Sequence, residues 1–484
     1  MPPAGTLHSS AGHAAAVATA APRGVVPSGA ASLPAARLLA FSTLAMPLAA
    51  VEIPLSTYVP PLYASAFGFG LTTVGLVFLA ARLWDALIDP TIGIWSDRTR
   101  TRFGRRRPWI AAGGAIFALG AVPVFLPPAW FGPAALSASL FILYLGYSMM
   151  ATPFSAWAGE LSSRYHERTR IATYQQSMTS LALLLALVLP SLVNGHFAAR
   201  PRMQLAAMGA MVFALLIPCL TVGLNCVGEP APTPGPRRTT GLWRGLGRAA
   251  GNRLLLRVLA ANFAVRLAQG IRTSLFVFFI AHFMGIPQWA PQLFLLQFVF
   301  GVAAGPIWLS IGRRLGKTRA AVAGELAQVA LNLGLLFLSP SNPALLIFLT
   351  VAQGLAQGSG NLMLRAMVAD VADDHLLRDG EERIGLFFSV FSLSDKAAFA
   401  VAIGVALPLV AWLGFDPRAA NPRSVLDHLQ IVFAAGPALA HALAAALIHG
   451  FPLDEARQAD IRRKLDEHGR EFADPFPPNP TEVR

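Results

Sequence analysis

Twelve long, mostly apolar stretches follow one another along the chain, near 36–61, 71–96, 107–128, 132–158, 170–194, 203–227, 254–284, 289–311, 319–340, 342–370, 383–414 and 424–452. About 20 apolar residues in helical form cross the hydrocarbon core of a bilayer, and there each backbone N–H and C=O must be satisfied within its own segment. Such a chain has few folds open to it, and an all-α bundle of twelve transmembrane helices is the one expected. Only 13% of its 484 residues are charged, against about 25% in an ordinary soluble chain. That shortage of solvating surface excludes a soluble multidomain enzyme.

The loops alternate in charge. Run two is followed by Asp97-Arg-Thr-Arg-Thr-Arg-Phe-Gly-Arg-Arg-Arg107, and runs four, six and eight by further clusters such as Arg164, Arg168 and Arg170 or Arg313, Arg314, Lys317 and Arg319. The loops between, such as Phe125-Leu-Pro-Pro128, carry no charge. An even number of spans puts both ends on one side, and the positive-inside rule assigns the Arg-rich loops and both tails to the cytoplasm of a plasma (inner) membrane. The net charge of +13 is therefore topogenic, and nucleic acid is not an expected partner. Only Lys317, Lys396 and Lys464 of the 38 basic residues are lysines, a bias that suggests a GC-rich bacterial genome. Cys219 and Cys226 sit about 10 Å apart along one helix and cannot pair, so no disulfide framework and no Cys-based structural metal site are expected.

The longest internal loop, the Pro- and Arg-rich segment 228–253, divides the spans six and six, into halves 34–227 and 254–453. Tails 1–33 and 454–484 flank them, the first rich in Ala, Pro, Ser and Gly and read as a disordered cytoplasmic tail. Two six-helix halves about a central linker resemble the major facilitator superfamily, in which the substrate sits midway between the halves. A faint internal echo, Gly93-Ile-Trp-Ser-Asp-Arg98 against Gly305-Pro-Ile-Trp-Leu-Ser-Ile-Gly-Arg-Arg314, agrees with that plan.

Within run two stands Arg82-Leu-Trp-Asp85-Ala-Leu-Ile-Asp89-Pro90. Carboxylates at i and i+4 share one helix face, and charge at membrane depth is costly enough to read as functional. Two adjacent acids bind a small cation or share a proton, because a second negative charge needs compensation. Arg82, about one turn earlier, is the nearest counter-ion in sequence. The bland alternative is a salt-bridged helix end at Pro90, and Thr91-Ile-Gly-Ile-Trp95 argues against it by carrying the run onward. Lys396 lies well inside run eleven and needs a carboxylate, which Asp85, Asp89 or the adjacent Asp395 could supply.

The stretch Asp85-x-x-x-Asp89-Pro-x-x-Gly93-x-x-Ser-Asp97-Arg98-Thr-x-Thr-Arg102-x-Gly104-Arg-Arg-Arg-Pro108 resembles the signature of the glycoside-pentoside-hexuronide:cation symporters, the melibiose-permease-like family. Pro153-Phe-x-Ala-x-x-x-Glu160-Leu and Asp370-Val-Ala-Asp373-Asp extend the likeness over nearly the whole membrane region. The resemblance implies that Asp85, Asp89 and Ser148 hold the cation, a proton or sodium ion, and that Lys396, in Ser392-Leu-Ser-Asp-Lys396, links cation and sugar sites. It also places Glu52, Gln176 and Ser392 at or near substrate positions. The chain departs from the family at Ala49, Ala151, Ser155 and Gln176, which makes melibiose itself an unsafe guess. Ile88 replaces a polar neighbour of the second cation-site acid and tilts the expectation toward protons.

Run seven adds Arg266 and Arg272, which six residues of helix turn in different directions. One of them is expected to face the cavity and favour an anionic substrate such as a uronide; the alternative is an arginine paired to Glu325 or to backbone carbonyls. Tyr58, Tyr147 and Trp157 are candidates to stack on a sugar. An inner gate is expected from Arg98, Arg105, Arg106 and Arg107 with Asp97, Glu160, Asp370 and Asp373, through ion pairs between helices and between halves that must break on inward opening.

The expected function is cation-coupled symport of a sugar, glycoside or uronide by alternating access. The chain would act without cofactors as a monomer, with a small-molecule substrate and the lipid bilayer as its partners. A carrier of another amphiphile, a lysolipid or an amino acid, is the alternative within transport. A membrane prenyltransferase, with Asp85/Asp89 and Asp370/Asp373/Asp374 holding magnesium diphosphate, is the distant enzymatic one.

Overall fold

The computed structural model describes residues 33–162, 165–197, 200–229, 251–379, 384–453 and 455–473. All but the last residue of the expected tail 1–33 and most of the 228–253 linker lie outside the described residues, as do Arg164 and the end of the 454–484 tail.

Thirteen helices are described. The first half holds α1 (Ala35–Ser65), α2 (Leu71–Arg98), α3 (Arg107–Phe125), α4 (Pro133–Glu160), α5 (Tyr165–Phe197) and α6 (Pro201–Cys226). The second holds α7 (Arg253–Phe283), α8 (Pro287–Leu315), α9 (Lys317–Phe337), α10 (Pro343–Asp379), α11 (Ile384–Trp412) and α12 (Arg423–Ile448), and a polar helix, α13 (Glu455–Ala473), follows. Eleven of these are long and apolar enough to cross a membrane. The twelfth expected span, α10, is 37 residues long but carries Gln353, Gln357, Ser359 and Asn361 through its middle. Gln353 and Ser359 are buried against neighbouring helices, so the polarity that lowers the hydropathy of α10 is spent inside the protein.

Leu87, Leu119, Ile217, Phe348 and Leu439 are all more than half exposed, as side chains that meet lipid should be. Inside the bundle, glycine lets backbones touch: a Cβ on Gly146 of α4 would lie 2.1 Å from the Phe117 amide nitrogen of α3, and one on Gly120 only 2.3 Å from that of Leu143. Pro54 withdraws a backbone donor from α1, and the residues Pro54–Tyr58 widen there into a single π-turn.

The halves meet chiefly where α2 packs on α11, α1 on α7 and α5 on α8. The α2–α11 contact is tight toward the uncharged end, where a Cβ on Gly75 would stand 2.9 Å from Pro408 Cδ and 3.2 Å from the Ile403 carbonyl oxygen. At that end Arg418 also donates to the Gly68 carbonyl at 3.4 Å. The opposite, Arg-rich end holds the start of α1, where the Leu33 amide donates to Glu167 Oε1 at 3.2 Å. It also holds the end of α12, where Arg257 Nε donates to the Leu447 carbonyl at 2.6 Å. α13 closes onto α10 through buried Ile461 and through Gln458 and Arg462, which reach Asp373 Oδ2 at 2.9 and 3.1 Å.

Candidate functional site

Asp85 and Asp89 lie one turn apart in the middle of α2, and the helix runs on through Pro90 to Arg98. Pro90 therefore does not end the helix. Asp85 is buried, while the Asp89 side chain keeps 29% of its surface. From α4, Ser148 Oγ donates to Asp85 Oδ1 at 3.0 Å and Thr152 Oγ1 to Asp89 Oδ1 at 3.3 Å. The i, i+4 spacing repeats on both helices, so two hydroxyls face two carboxylates rung for rung.

Lys396 enters from α11, on the other half. Its Nζ lies 2.8 Å from Asp85 Oδ2 and 2.6 Å from Asp89 Oδ2. The close packing that Gly75 and Gly404 permit between α2 and α11 brings the lysine within reach. The ring of Tyr147 lies 6.0 Å from the same nitrogen. Two carboxylates and two hydroxyls make an all-oxygen site fit for a hard monovalent cation or a shared proton. One ammonium group now supplies the compensating positive charge.

Asp395, the neighbour of Lys396, does not pair with it. Asp395 accepts from Arg266 Nε at 2.9 Å and from Asn262 Nδ2 at 2.7 Å, both on α7. Arg266 thus has its counter-ion within the second half, and Glu325 is held instead by His441, 2.6 Å from Nδ1. Arg82 forms no salt bridge with Asp85, although it stands near enough to act on it electrostatically. Among the described residues no carboxylate lies within 4 Å of it, and its guanidinium sits 5.1 Å from the ring of Tyr144 and 5.3 Å from that of Phe399. Lys396 holds the place that sequence proximity had assigned to Arg82.

The other expected substrate residues scatter. Trp157 is fully buried against Phe41, at 5.0 Å between ring centres, with the Arg107 guanidinium 5.7 Å from its ring, so it is core rather than a sugar platform. Tyr58 lines an apolar cavity of about 240 Å³ toward the uncharged end, between α1, α5 and α6 of one half and α7 and α8 of the other. Among the described residues Gln176 on α5 hydrogen-bonds Ser180 at 3.5 Å, and Glu52 and Ser392 are exposed, Glu52 near enough to Arg82, Tyr144 and Tyr147 to act on them electrostatically. Tyr147 alone of the three aromatics stands beside the charged cluster.

At the Arg-rich end, Arg106 is buried and pairs with both Asp97 and Glu160, and Arg105 reaches Glu160 Oε2 at 2.6 Å. Asp370 takes Lys317 at 2.7 Å and Asp373 takes Arg462. These ion pairs join helices within the first half, or join α10 to α9 and α13, and the gate pairs expected between halves are ones that break on inward opening. Arg98 is exposed. Asp374 pairs with Arg378 at 2.9 Å, which leaves the Asp370–Asp374 cluster committed to basic partners rather than to magnesium diphosphate.

Sequence reading missed Thr152, although its place four residues after Ser148 mirrors the Asp85–Asp89 step. It also missed Glu229. This carboxylate accepts from the backbone amides of Arg105, Arg106 and Arg107 at 2.6, 2.9 and 2.6 Å and so caps the start of α3. Gly104, at φ +109°, holds the loop in a form that leaves room for it.

A family described as MFS/sugar transport protein matches residues 40–455. Among curated relatives, the putative glycoside/cation symporter YagG of Escherichia coli is 26% identical, over 84% of this chain and 89% of the relative. An uncharacterized symporter of Synechocystis is 25% identical, over 82% and 90%. The sodium-dependent lysophosphatidylcholine symporter 1 of Xenopus tropicalis is 22% identical, over 84% and 83%. Solved structures that share the fold include a bacterial homologue of the lysosomal transporter Spinster, in an inward-facing form, with TM-score 0.63 at 12% identity over 89% of this chain and 97% of that one. The nucleoside transporter NupG gives 0.61 at 14% identity, over 86% and 98%.

Proposed function

The chain belongs to the MFS/sugar transport protein family, and from that premise we propose that it is a cation-coupled symporter of a sugar or glycoside. It is a multi-pass membrane transporter and not an enzyme, so the prenyltransferase alternative falls away. The observation that carries the symport reading is Lys396, held by Asp85 and Asp89 across the boundary between the halves. A proton or sodium ion that reaches the two carboxylates competes with that ammonium group. Once Lys396 is released, the link between α2 and α11 is weakened and the lysine can serve the substrate, so occupancy of one site changes the stability of the other. The hydroxyls of Ser148 and Thr152 favour the same assignment, because a small cation needs neutral oxygen ligands as well as charged ones.

The close α2–α11 packing toward the uncharged end supports an inward-facing state, if the Arg-rich end faces the cytoplasm as the positive-inside rule assigns. Both termini then lie in the cytoplasm of a bacterial inner membrane. The decisive experiment is a substrate-library uptake screen in proteoliposomes, run under a sodium gradient and under a proton gradient in turn. Asp85→Asn is expected to abolish uphill uptake while sparing some exchange, and ion-independent accumulation by that variant overturns the reading.

A second reading, transport of an amphiphile, has one observation of its own. The cavity around Tyr58 is lined mainly by apolar side chains, among them Leu62, Leu189, Met208 and Val277, and lies between the two halves. Competition by lysolipids in the same uptake screen favours it.

A further inference from the structure

Arg272 of α7 is an arginine inside a membrane helix without an acid to answer it. Among the described residues no carboxylate oxygen lies within 4 Å of its guanidinium. It reaches Asn332 Oδ1 of α9 only at 3.5 Å, and the ring of Phe433 on α12 at 5.5 Å. The neighbouring charges are committed elsewhere: Arg266 to Asp395 of α11, and Glu325 of α9 to His441 of α12. A lone positive charge among packed helices is costly at this depth, and a small anion beside it removes much of that cost.

The size and the wall of the adjoining space limit which anion fits. Arg272 borders a cavity of about 100 Å³, roughly the volume of three waters, enclosed by α7, α8, α9, α10 and α12. A halide ion fits there with a water or two, and a sugar ring does not. The carboxamides of Gln297, Gln328 and Gln357 stand in the wall and bring N–H donors to it. Gln297 is more than nine-tenths buried, and its amide nitrogen donates to Gln357 Oε1 at 3.1 Å while its own Oε1 has no partner. The two ends of a carboxamide have one shape, so turning both over keeps this bond with the roles exchanged. The free end of Gln297 is then an N–H donor, which an anion satisfies. Phe276 and Phe294 make much of the remaining wall apolar. Such a wall suits a weakly hydrated ion of single charge, since a second negative charge would stand uncompensated in a medium of low dielectric.

We propose that the cavity at Arg272, within the second half, binds a small monovalent inorganic anion such as chloride, with the guanidinium as counter-charge and the carboxamides as further donors. Bound there, the anion ties α7 to the helices around the cavity and stabilises the second half as a unit. It is neither the coupling cation nor the transported solute. Asp85, Asp89 and Lys396 meet at the boundary between the halves, and the space at Arg272 is too small for a sugar. The inference therefore stands apart from the sugar-symport reading and does not depend on it.

The test is thermal unfolding of the purified full-length protein in nanodiscs. Sodium chloride is exchanged for the sodium salt of morpholinoethanesulfonate, a monovalent anion too bulky for the cavity. Sodium concentration and ionic strength then stay fixed, and the cation site is treated alike throughout. The unfolding midpoint is expected to rise saturably with chloride, and bromide should substitute for it. In Arg272→Gln the chloride curve should move to at least tenfold higher concentration, because a charge-assisted contact is lost. Phe294→Trp keeps the guanidinium and fills part of the cavity, so it should weaken chloride severalfold, and it decides if Arg272→Gln does not fold. A midpoint indifferent to chloride overturns the proposal, and so does a chloride response that either variant leaves unchanged. Competition of D-glucuronate with chloride at equal concentration also overturns it, because the cavity would then belong to the path of the transported solute.

Discussion

Lys396 Nζ lies 2.6 Å from Asp89 Oδ2, a contact between residues 307 positions apart that joins the two six-helix halves. The lysine is also within 2.8 Å of Asp85, so one cation of the protein's own satisfies both acids. Two carboxylates with one ammonium leave the trio at net −1, and an added proton or sodium ion restores balance.

Lys396→Gln removes the competitor without removing the ligands. The variant is expected to bind the coupling ion about tenfold more tightly, read as ion-dependent thermal stabilisation at lower concentration, because one interaction worth about 1.4 kcal/mol no longer opposes it. Uphill uptake should be lost at the same time, since the link between ion and substrate is gone. Weaker ion binding in this variant means that the lysine organises the carboxylates rather than competing for them.

Gly75 is the contact that tests how the halves close. A side chain there must displace Leu407 or Pro408, and the Ile403 carbonyl 3.2 Å away belongs to backbone and cannot step aside. Gly75→Val is expected to hold α2 and α11 apart toward the uncharged end and favour the opposite-facing state. Cysteines placed at 71 and 407, both buried here, should then react faster with a membrane-impermeant thiol reagent added from that side. An unchanged rate sinks the expectation.

The core of this site was legible because it is written locally. Asp85 and Asp89 announce themselves as charges in an apolar helix, whereas Ser148, on α4, was legible only through the family resemblance. Lys396 could be marked as needing an acid, but three acids were open to it, and only the packing of α2 on α11 chooses Asp85 and Asp89 over the adjacent Asp395. Arg82 misled for the same reason: proximity along the chain is no guide to where a long side chain turns when Tyr144 and Phe399 offer their rings. The ion pairs of the Arg-rich end were legible as a cluster but not as a pairing, since Arg106 meets Glu160 while Asp370 meets Lys317. The cap that Glu229 places on α3 spans more than 120 residues and leaves no local mark beyond the glycine at 104.

That cap is open to a double-mutant cycle. Glu229→Ala strips a carboxylate from three backbone amides at a helix start and is expected to cost about 1–2 kcal/mol of stability. Gly104→Ala puts a Cβ 2.6 Å from Glu229 Oε1 on a backbone with φ +109°, so it strains the loop and expels the same carboxylate. The double variant should therefore be more stable than the sum of the two losses predicts, in thermal unfolding of the detergent-solubilised protein. Strict additivity means that the two residues act independently.

Arg106 and Arg462 both pair with aspartates near the Arg-rich end, and burial separates their effects. The Arg106 side chain is 2% exposed and answers Asp97, Glu160 and the Ser96 hydroxyl together, whereas that of Arg462 is 68% exposed. Breaking a fully buried pair costs about 3–5 kcal/mol, but Glu160 retains Arg105 at 2.6 Å and Asp97 is open to water, so Arg106→Leu is expected to cost about 2 kcal/mol. Arg462→Leu should cost less than about 1 kcal/mol, as exposed pairs do. Raising the salt should erase the smaller effect and leave most of the larger one, because screening acts on charges that water can reach. Equal losses in the two variants, or an Arg106 effect that vanishes in salt, would show that the Arg106 cluster is solvated and does not lock α2, α3 and α4 together.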